Sequence, residues 1–483
     1  MVAIRLTSRT PDELLRSGFA RIRDELRVPT SHPPEVVAEA TAAVARGPRH
    51  PPGVPPEDPV DRRDLPMRSI DPPGSRDIDQ AYAASRRGAG WRLHYAIADL
   101  AVFIPPGGEI EQDSLERGVT LYSPDHRASL HPEVLSEGAA SLLPGQDRPA
   151  LLWTIDIDAD GTLASHRIER AIVRNRQAMS YSEAQANLDH GRPDEGLELL
   201  REIGEARLVD ERRRGAVSLR LPAQDITRSD GAYDLVYDVA LPVETWNAQL
   251  SLATGIAAAN LMLDAGVGLL RTLPPAEHET LRSVRLSAKA LGVEWPDDVD
   301  YPTRVRDLDP NVPEEAALLA RAARAFRGAG YVAFGPDLPV PDHHAHAALA
   351  TDYAHVTAPL RRVCDRYANE ILLAICADRP APEWAVDRLP ELPSVMGRAT
   401  QRDRALERAL VDFMEAMVLA PHLGERFTAT VTQRRGDTVQ VQLAHPAVIA
   451  SVEDDRAEPG TTVELELVSA DPSARDVTFR MIG

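Results

Sequence analysis

The stretch SIDPPGSRDIDQ, residues 69–80, sets Asp71, Asp77 and Asp79 among two prolines and a glycine. Proline and glycine at this density interrupt both helix and sheet, so the segment reads as an irregular loop. A D-x-D pair by itself is usually a turn former. This one runs into WRLHYAIADLAVFI, residues 91–104, where Trp91, Leu93, Tyr95 and Ile97 alternate as one face of a strand that ends close to Asp99. A loop entering a strand can bring several carboxylates to one point. Uncompensated carboxylates that close repel one another, and a hard cation with oxygen ligands relieves the repulsion. Mg2+, with Mn2+ as the alternative, is the expected occupant.

A second aspartate-rich stretch reads differently. DIDADGTL, residues 156–163, places Asp156, Asp158, Asp160 and Gly161 at the offsets of a calcium-binding EF-hand loop. The twelfth position is Arg167, where a bidentate carboxylate is needed, and the flanks LLWTIDI and LASHRIERAIV have strand character. The expectation is two strands joined by a turn, with the aspartates and glycine supplying the turn conformation.

Outward from these segments the chain divides by composition. Residues 1–46 carry two helical patterns and are expected to form a small N-terminal helical domain, one option being a helix-turn-helix-like unit. The proline-dense GPRHPPGVPPEDP, residues 47–59, reads as an extended linker. Strand patterns dominate from about 66 to 180 and helical ones from about 182 to 420. Residues 421–483 return to five short alternating strands, which fits a small barrel of the oligonucleotide-binding type. The whole is expected to be a multidomain α+β protein.

A net charge of −20 argues against coating of duplex nucleic acid by an overall basic surface, although it leaves room for a local basic channel. Lys289 is the only lysine, so arginine carries nearly all the positive charge and offers bidentate phosphate contacts. Cys364 and Cys376 lack the companions of a disulfide framework or a zinc site and read as ordinary thiols. No apolar run approaches the length of a membrane span, and the N-terminus lacks the order of a secretory signal, so the expected address is the cytoplasm, without membrane contact.

Six blocks in a fixed order, SIDPPGSRDIDQA, HYAIADLAVFI, ERGVTLYSPD, LSEGAASLLPGQDRPAL, SYSEAQ and VTAPLRRVCDRYANEIL, resemble the RNB catalytic domain of 3′-to-5′ exoribonucleases of the ribonuclease II and ribonuclease R type. The resemblance covers roughly residues 60–420, as a mixed α/β RNB domain, and the C-terminal barrel matches the RNA-binding barrel that follows it in the family. The helical N-terminus departs from the β-rich cold-shock domains usual there. The resemblance implies hydrolysis of single-stranded RNA to nucleoside 5′-monophosphates by a monomeric enzyme with two metal ions. It assigns Asp71, Asp77 and Asp79 to the metal cluster, with Asp79 and Asp77 catalytic, and Gln80 to the position of a fourth aspartate. It makes Arg361 the catalytic arginine and Arg362, beside it, an RNA-binding residue. Tyr122 and Tyr181 fall on base-stacking positions, Gln249 on a glutamate that positions the terminal nucleotide, and Glu407 on an acidic residue near the sugars. The two glutamines keep a second reading open, that of a catalytically weak RNA-binding regulator of the same build. Within the barrel, Phe427 and Phe479 are the only aromatics, so RNA contact there is expected to fall to arginines such as Arg434 and Arg435.

Overall fold

The computed structural model describes residues 12–54, 58–217, 223–229, 232–238, 240–309, 312–443 and 445–482. Its centre is a mixed sheet in which Met67–Asp71, Gln80–Arg87, Gly90–Ala98 and Asp147–Ile157 lie in that order, and the long strand Leu163–Ser180 pairs with both the first and the last of them. Both faces of this sheet are covered. Leu93, Tyr95 and Ile97 enter one core with Trp153, Ile155 and the helices Glu195–Arg213, Pro242–Ala265 and Val363–Cys376, with Trp91 packed against it. The intervening Ala96 and Ala98 enter a second core with Ala81, Ala83, Ala150 and Leu152. Period-two alternation therefore sorts large side chains to the helical side and small ones to the other.

DIDADGTL is a turn, as its flanks require. Asp158 N–H donates to Thr162 O and Gly161 N–H to Asp158 O, with Gly161 at φ +84°, where a Cβ would lie 2.2 Å from the Ala206 carbonyl oxygen. The strands on either side pair in register from Asp147↔Arg174 to Ile157↔Leu163, with one irregularity near the turn.

The two described N-terminal helices pack on other parts of the protein. Helix Asp12–Glu25 buries Leu15, Phe19 and Ile22 in a core shared with the C-terminal barrel and with Phe413 of the helix Leu392–Leu419. Helix Pro34–Arg46 instead sends Val36 and Ala40 into the small-residue core of the central sheet. The two helices thus serve two different cores and do not form a helix-turn-helix unit. The described part of 47–59 is also fastened down, with Arg49 N–H donating to Val102 O and Trp384 Nε1 to Pro52 O. Residues 1–11 and 55–57 lie outside the described residues.

The region 182–420 is mainly helical but carries two antiparallel pairs, Ala223–Ser229 with Ala232–Asp238 and Gly268–Thr272 with Gly330–Phe334. The C-terminal five strands run in the order Ile449–Glu453, Thr438–Leu443, Arg426–Arg435, Thr462–Asp471, Asp476–Met481, and the two outer strands meet to leave a nearly closed barrel. Cys364 is buried and Cys376 half-buried. Among the described residues no helix is long and apolar enough to cross a membrane.

Candidate active site

Strand register puts the first two site residues side by side. Asp71, at the end of Met67–Asp71, is the parallel partner of Ser180, and the helix Tyr181–Asp189 starts at the next residue with a Ser180–Glu183 capping box. Tyr181 is thereby fixed beside Asp71, and its hydroxyl accepts from Asn247 Nδ2 at 3.3 Å. The loop between Asp71 and Gln80 is held from below. Ile78 N–H donates to Ser141 Oγ, Ser141 Oγ donates to Arg76 O, and Leu142 N–H donates to Ile78 O.

Asp79 is 2% exposed. Its Oδ1 accepts Leu360 N–H at 2.7 Å and its Oδ2 accepts Arg361 Nε at 2.8 Å. Burial outweighs both contacts and pushes its carboxyl up to about 7. Arg361 remains 45% exposed at its side chain, with its Nη atoms free of partners among the described residues. The segment carrying it is braced by Asp365, which accepts from Ala358 N–H and from Arg362. Arg362 is consequently engaged in holding this turn.

Arg361 and Val363 also receive the next element. Thr120 N–H donates to Arg361 O and Val363 N–H to Gly118 O, which sets the hairpin of Leu121–Ser123 and His126–Ala128 beside the acidic loop. Tyr122 stands 50% exposed on this hairpin. Across from it Arg127 Nη1 meets Asp77 Oδ1 at 2.6 Å and also binds Glu137. Arg127 and Asn247 are site residues that the sequence reading missed; Arg127 follows the SPDH turn directly, whereas nothing in NAQLSLATG distinguishes Asn247.

Two of the three aspartates are therefore compensated. Asp77 is paired with Arg127 and Asp79 with Arg361, and among the described residues no group of three or more His, Cys, Asp or Glu side chains is arranged to hold a metal. Asp71 differs. Its Oδ2 is buried with no hydrogen-bond partner among the described residues, and burial, with a smaller push from nearby Asp77, raises its carboxyl to about 6. An orphaned, buried carboxylate oxygen is what a bound cation would satisfy, so the donors fit one hard ion at Asp71 and Asp77. They do not fit the expected set of four. Gln80 donates Nε2 to Thr357 O at 2.6 Å, and its Oε1 accepts the Tyr95 hydroxyl, so neither end of the amide is available.

Gln249 is likewise misplaced by the sequence reading. It is 3% exposed and donates Nε2 to Glu211 Oε2 at 2.6 Å, bracing Pro242–Ala265 against Glu195–Arg213. Two residues along a helix turn the direction by about 200°, so a helix that aims Asn247 and Ser251 at the site aims Gln249 away from it. Ser251 meets Thr357 Oγ1 at 2.9 Å on that near side. Glu407 is exposed on the helix Leu392–Leu419, whose neighbouring Leu406 packs in the core that includes Leu121 and Ala128 of the hairpin. In the barrel, Phe427 and Phe479 are buried edge to face, 5.8 Å apart, and Arg434 is bound to Glu458 and to three backbone carbonyls.

The RNB domain family matches residues 60–378, and the RNase II-type exonuclease C-terminal S1 domain matches 425–482. An exosome complex exonuclease RRP44 homolog A of Arabidopsis thaliana is 30% identical over 377 residues, covering 74% of this chain and 40% of the relative. Ribonuclease R of Aquifex aeolicus is 27% identical over 432 residues, covering 84% and 58% respectively. The chain thus spans between two fifths and three fifths of the length of these relatives. Mycoplasma genitalium RNase R, solved with ribose-methylated single-stranded RNA, superposes with a TM-score of 0.84 over 97% of this chain and 78% of its own, at 16% identity. Yeast Ssd1, described as a pseudonuclease, superposes with a TM-score of 0.69 over 95% of this chain and 57% of its own, also at 16% identity. With two thirds of its length matched by the RNB domain and the S1 barrel in its usual place behind it, the chain belongs to the RNB family of ribonucleases.

Proposed function

We propose that this protein is a 3′-to-5′ exoribonuclease that hydrolyses single-stranded RNA to nucleoside 5′-monophosphates. The observation that carries the reading is the Asp79–Arg361 unit, a buried carboxylate orienting a half-exposed guanidinium between two tyrosines. Arg361 presents its free Nη donors to a phosphate, and a rigid cation aimed where negative charge develops is the usual way phosphodiester transition states are stabilised. The Asp79 carboxylate keeps Arg361 in place through Oδ2 and is itself held by Leu360 N–H at Oδ1. Tyr122 and Tyr181 offer ring faces on which bases of any identity stack, worth about 1–3 kcal/mol per base. Asp71 and Asp77 would hold one Mg2+, or Mn2+, which when bound supplies a Lewis acid for the attacking water and the phosphate oxygens.

A second reading, an RNA-binding protein with weak catalysis, is favoured by a specific observation: the Gln80 amide is closed off by Thr357 and Tyr95 where the family carries a further carboxylate. A time course with 5′-labelled single-stranded RNA, run with Mg2+, with Mn2+ and with chelator, separates the two. Metal-dependent shortening from the 3′ end, lost in Asp79→Asn, is the expected result; binding without shortening under every condition establishes the second reading instead.

A further inference from the structure

The hairpin that carries Tyr122 has two strands of three residues each and pairs only with itself. A ribbon this small has little stability of its own. Its base is set by the backbone bonds to Arg361 and Val363, and its turn is held by the N-terminal helix. Leu121 and Ala128, the inward residues of the hairpin, are buried in the core that contains Leu15, Phe19 and Ile22 of Asp12–Glu25. The turn of the hairpin is held by Arg23, whose Nη1 and Nη2 reach the two carboxylate oxygens of Asp125 at 2.5 and 3.2 Å. Both side chains are nine-tenths buried, at 8% and 10% exposure. The chain that follows the helix is tied to the same place, since Arg117 donates to Pro29 O, Ser31 O and Ser129 O.

A buried, two-pronged ion pair adds little net stability against an apolar alternative, because desolvation offsets most of the attraction. What it supplies is geometry. Only one placement of the turn satisfies both prongs, and that placement fixes Tyr122 on the outer side and Arg127 against Asp77. We propose that Arg23 and Asp125 are positioning residues for RNA binding: through them the N-terminal helix holds the Tyr122 hairpin over the acidic loop. The proposal rests on RNA being the substrate.

The test uses the full chain with Arg23→Met, Asp125→Asn and the exchanged pair Arg23→Asp/Asp125→Arg. RNA affinity is measured by equilibrium binding of labelled single-stranded RNA in an Asp79→Asn background, hydrogen exchange is followed at residues 121–128, and kcat and KM are taken in the active chain. Each single variant is expected to exchange faster in the hairpin, to bind RNA about fivefold or more weakly, and to show the change in KM while kcat stays within about threefold. The exchanged pair recovers most of the affinity. Faster exchange with unchanged RNA affinity, or KM and kcat falling together without recovery in the exchanged pair, overturns the proposal. If both single variants fail to fold, a folded exchanged pair that binds RNA weakly overturns it as well. A wild-type chain that neither binds nor shortens RNA defeats the functional reading itself, and that outcome is visible before any variant is compared.

Discussion

Two aspartate-rich segments of almost the same composition meet opposite fates in this protein. In 156–160 the hydrogen bonds to Asp156 and Asp160 outweigh the effect of burial. Asp160 accepts from Thr162 N–H, Thr162 Oγ1 and Arg213, and Asp156 from Arg92 and Ser165, so both carboxyls are pulled below their usual range, Asp156 to about 2. In 71–79 the chain enters the protein interior, and burial pushes Asp71 to about 6 and Asp79 to about 7 even with an arginine at hand. Aspartate density is therefore no measure of a site. What distinguishes the second segment is that burial outweighs the contacts made by Asp71 and Asp79, and that one carboxylate oxygen of Asp71 is left unsatisfied among the described residues.

The largest contrast is expected in turnover. Asp79→Asn should lose at least about a hundredfold in RNA hydrolysis, because it removes the anion that orients Arg361, while Asp160→Asn stays within about twofold. Single-turnover measurements on both variants check this, and equal losses would erase the distinction. Next comes stability against pH, measured by denaturant titration with chelator present. The folded Asp71 carboxyl lies above its ordinary 3.8, so its contribution is present below about pH 4 and is lost as pH rises through about 6. Asp71→Asn should remove that loss and be more stable than the parent at pH 8 by about 3 kcal/mol. Asp156 has the opposite sign: its stabilisation is present above about pH 4 and is lost as pH falls toward 2.

A smaller effect is expected at Gln80. Gln80→Asp removes the donor that satisfied the Thr357 carbonyl, costing about 2 kcal/mol. The Mg2+ concentration needed for activity should not fall. A lowered requirement would show that the amide is released from Thr357 and Tyr95 when the site is loaded. The smallest effect belongs to the barrel, where Arg434→Ala should change RNA affinity less than twofold, because Arg434 is already bound to Glu458 and to backbone carbonyls. Filter binding at low salt would expose any larger contribution.

The sequence by itself determined the elements and the chemistry that needs only local order. Alternation at Trp91–Ile97 fixed a strand and its two faces, the turn at 158–162 followed from Asp and Gly, and the five-strand barrel was readable because period-two patterning survives without knowledge of neighbours. The resemblance of the ordered blocks put Asp79 and Arg361 at one candidate site, and the structure brings them to 2.8 Å across 282 positions of chain. Tertiary structure alone decided which partners the remaining candidates take. Arg362, Gln80 and Gln249 are turned to Asp365, to Thr357 with Tyr95, and to Glu211, because a buried polar group must find its partner wherever the packing supplies one. It also decided that the first helix joins the barrel core and the second the central sheet, since an amphipathic pattern says that a face is buried without saying against what.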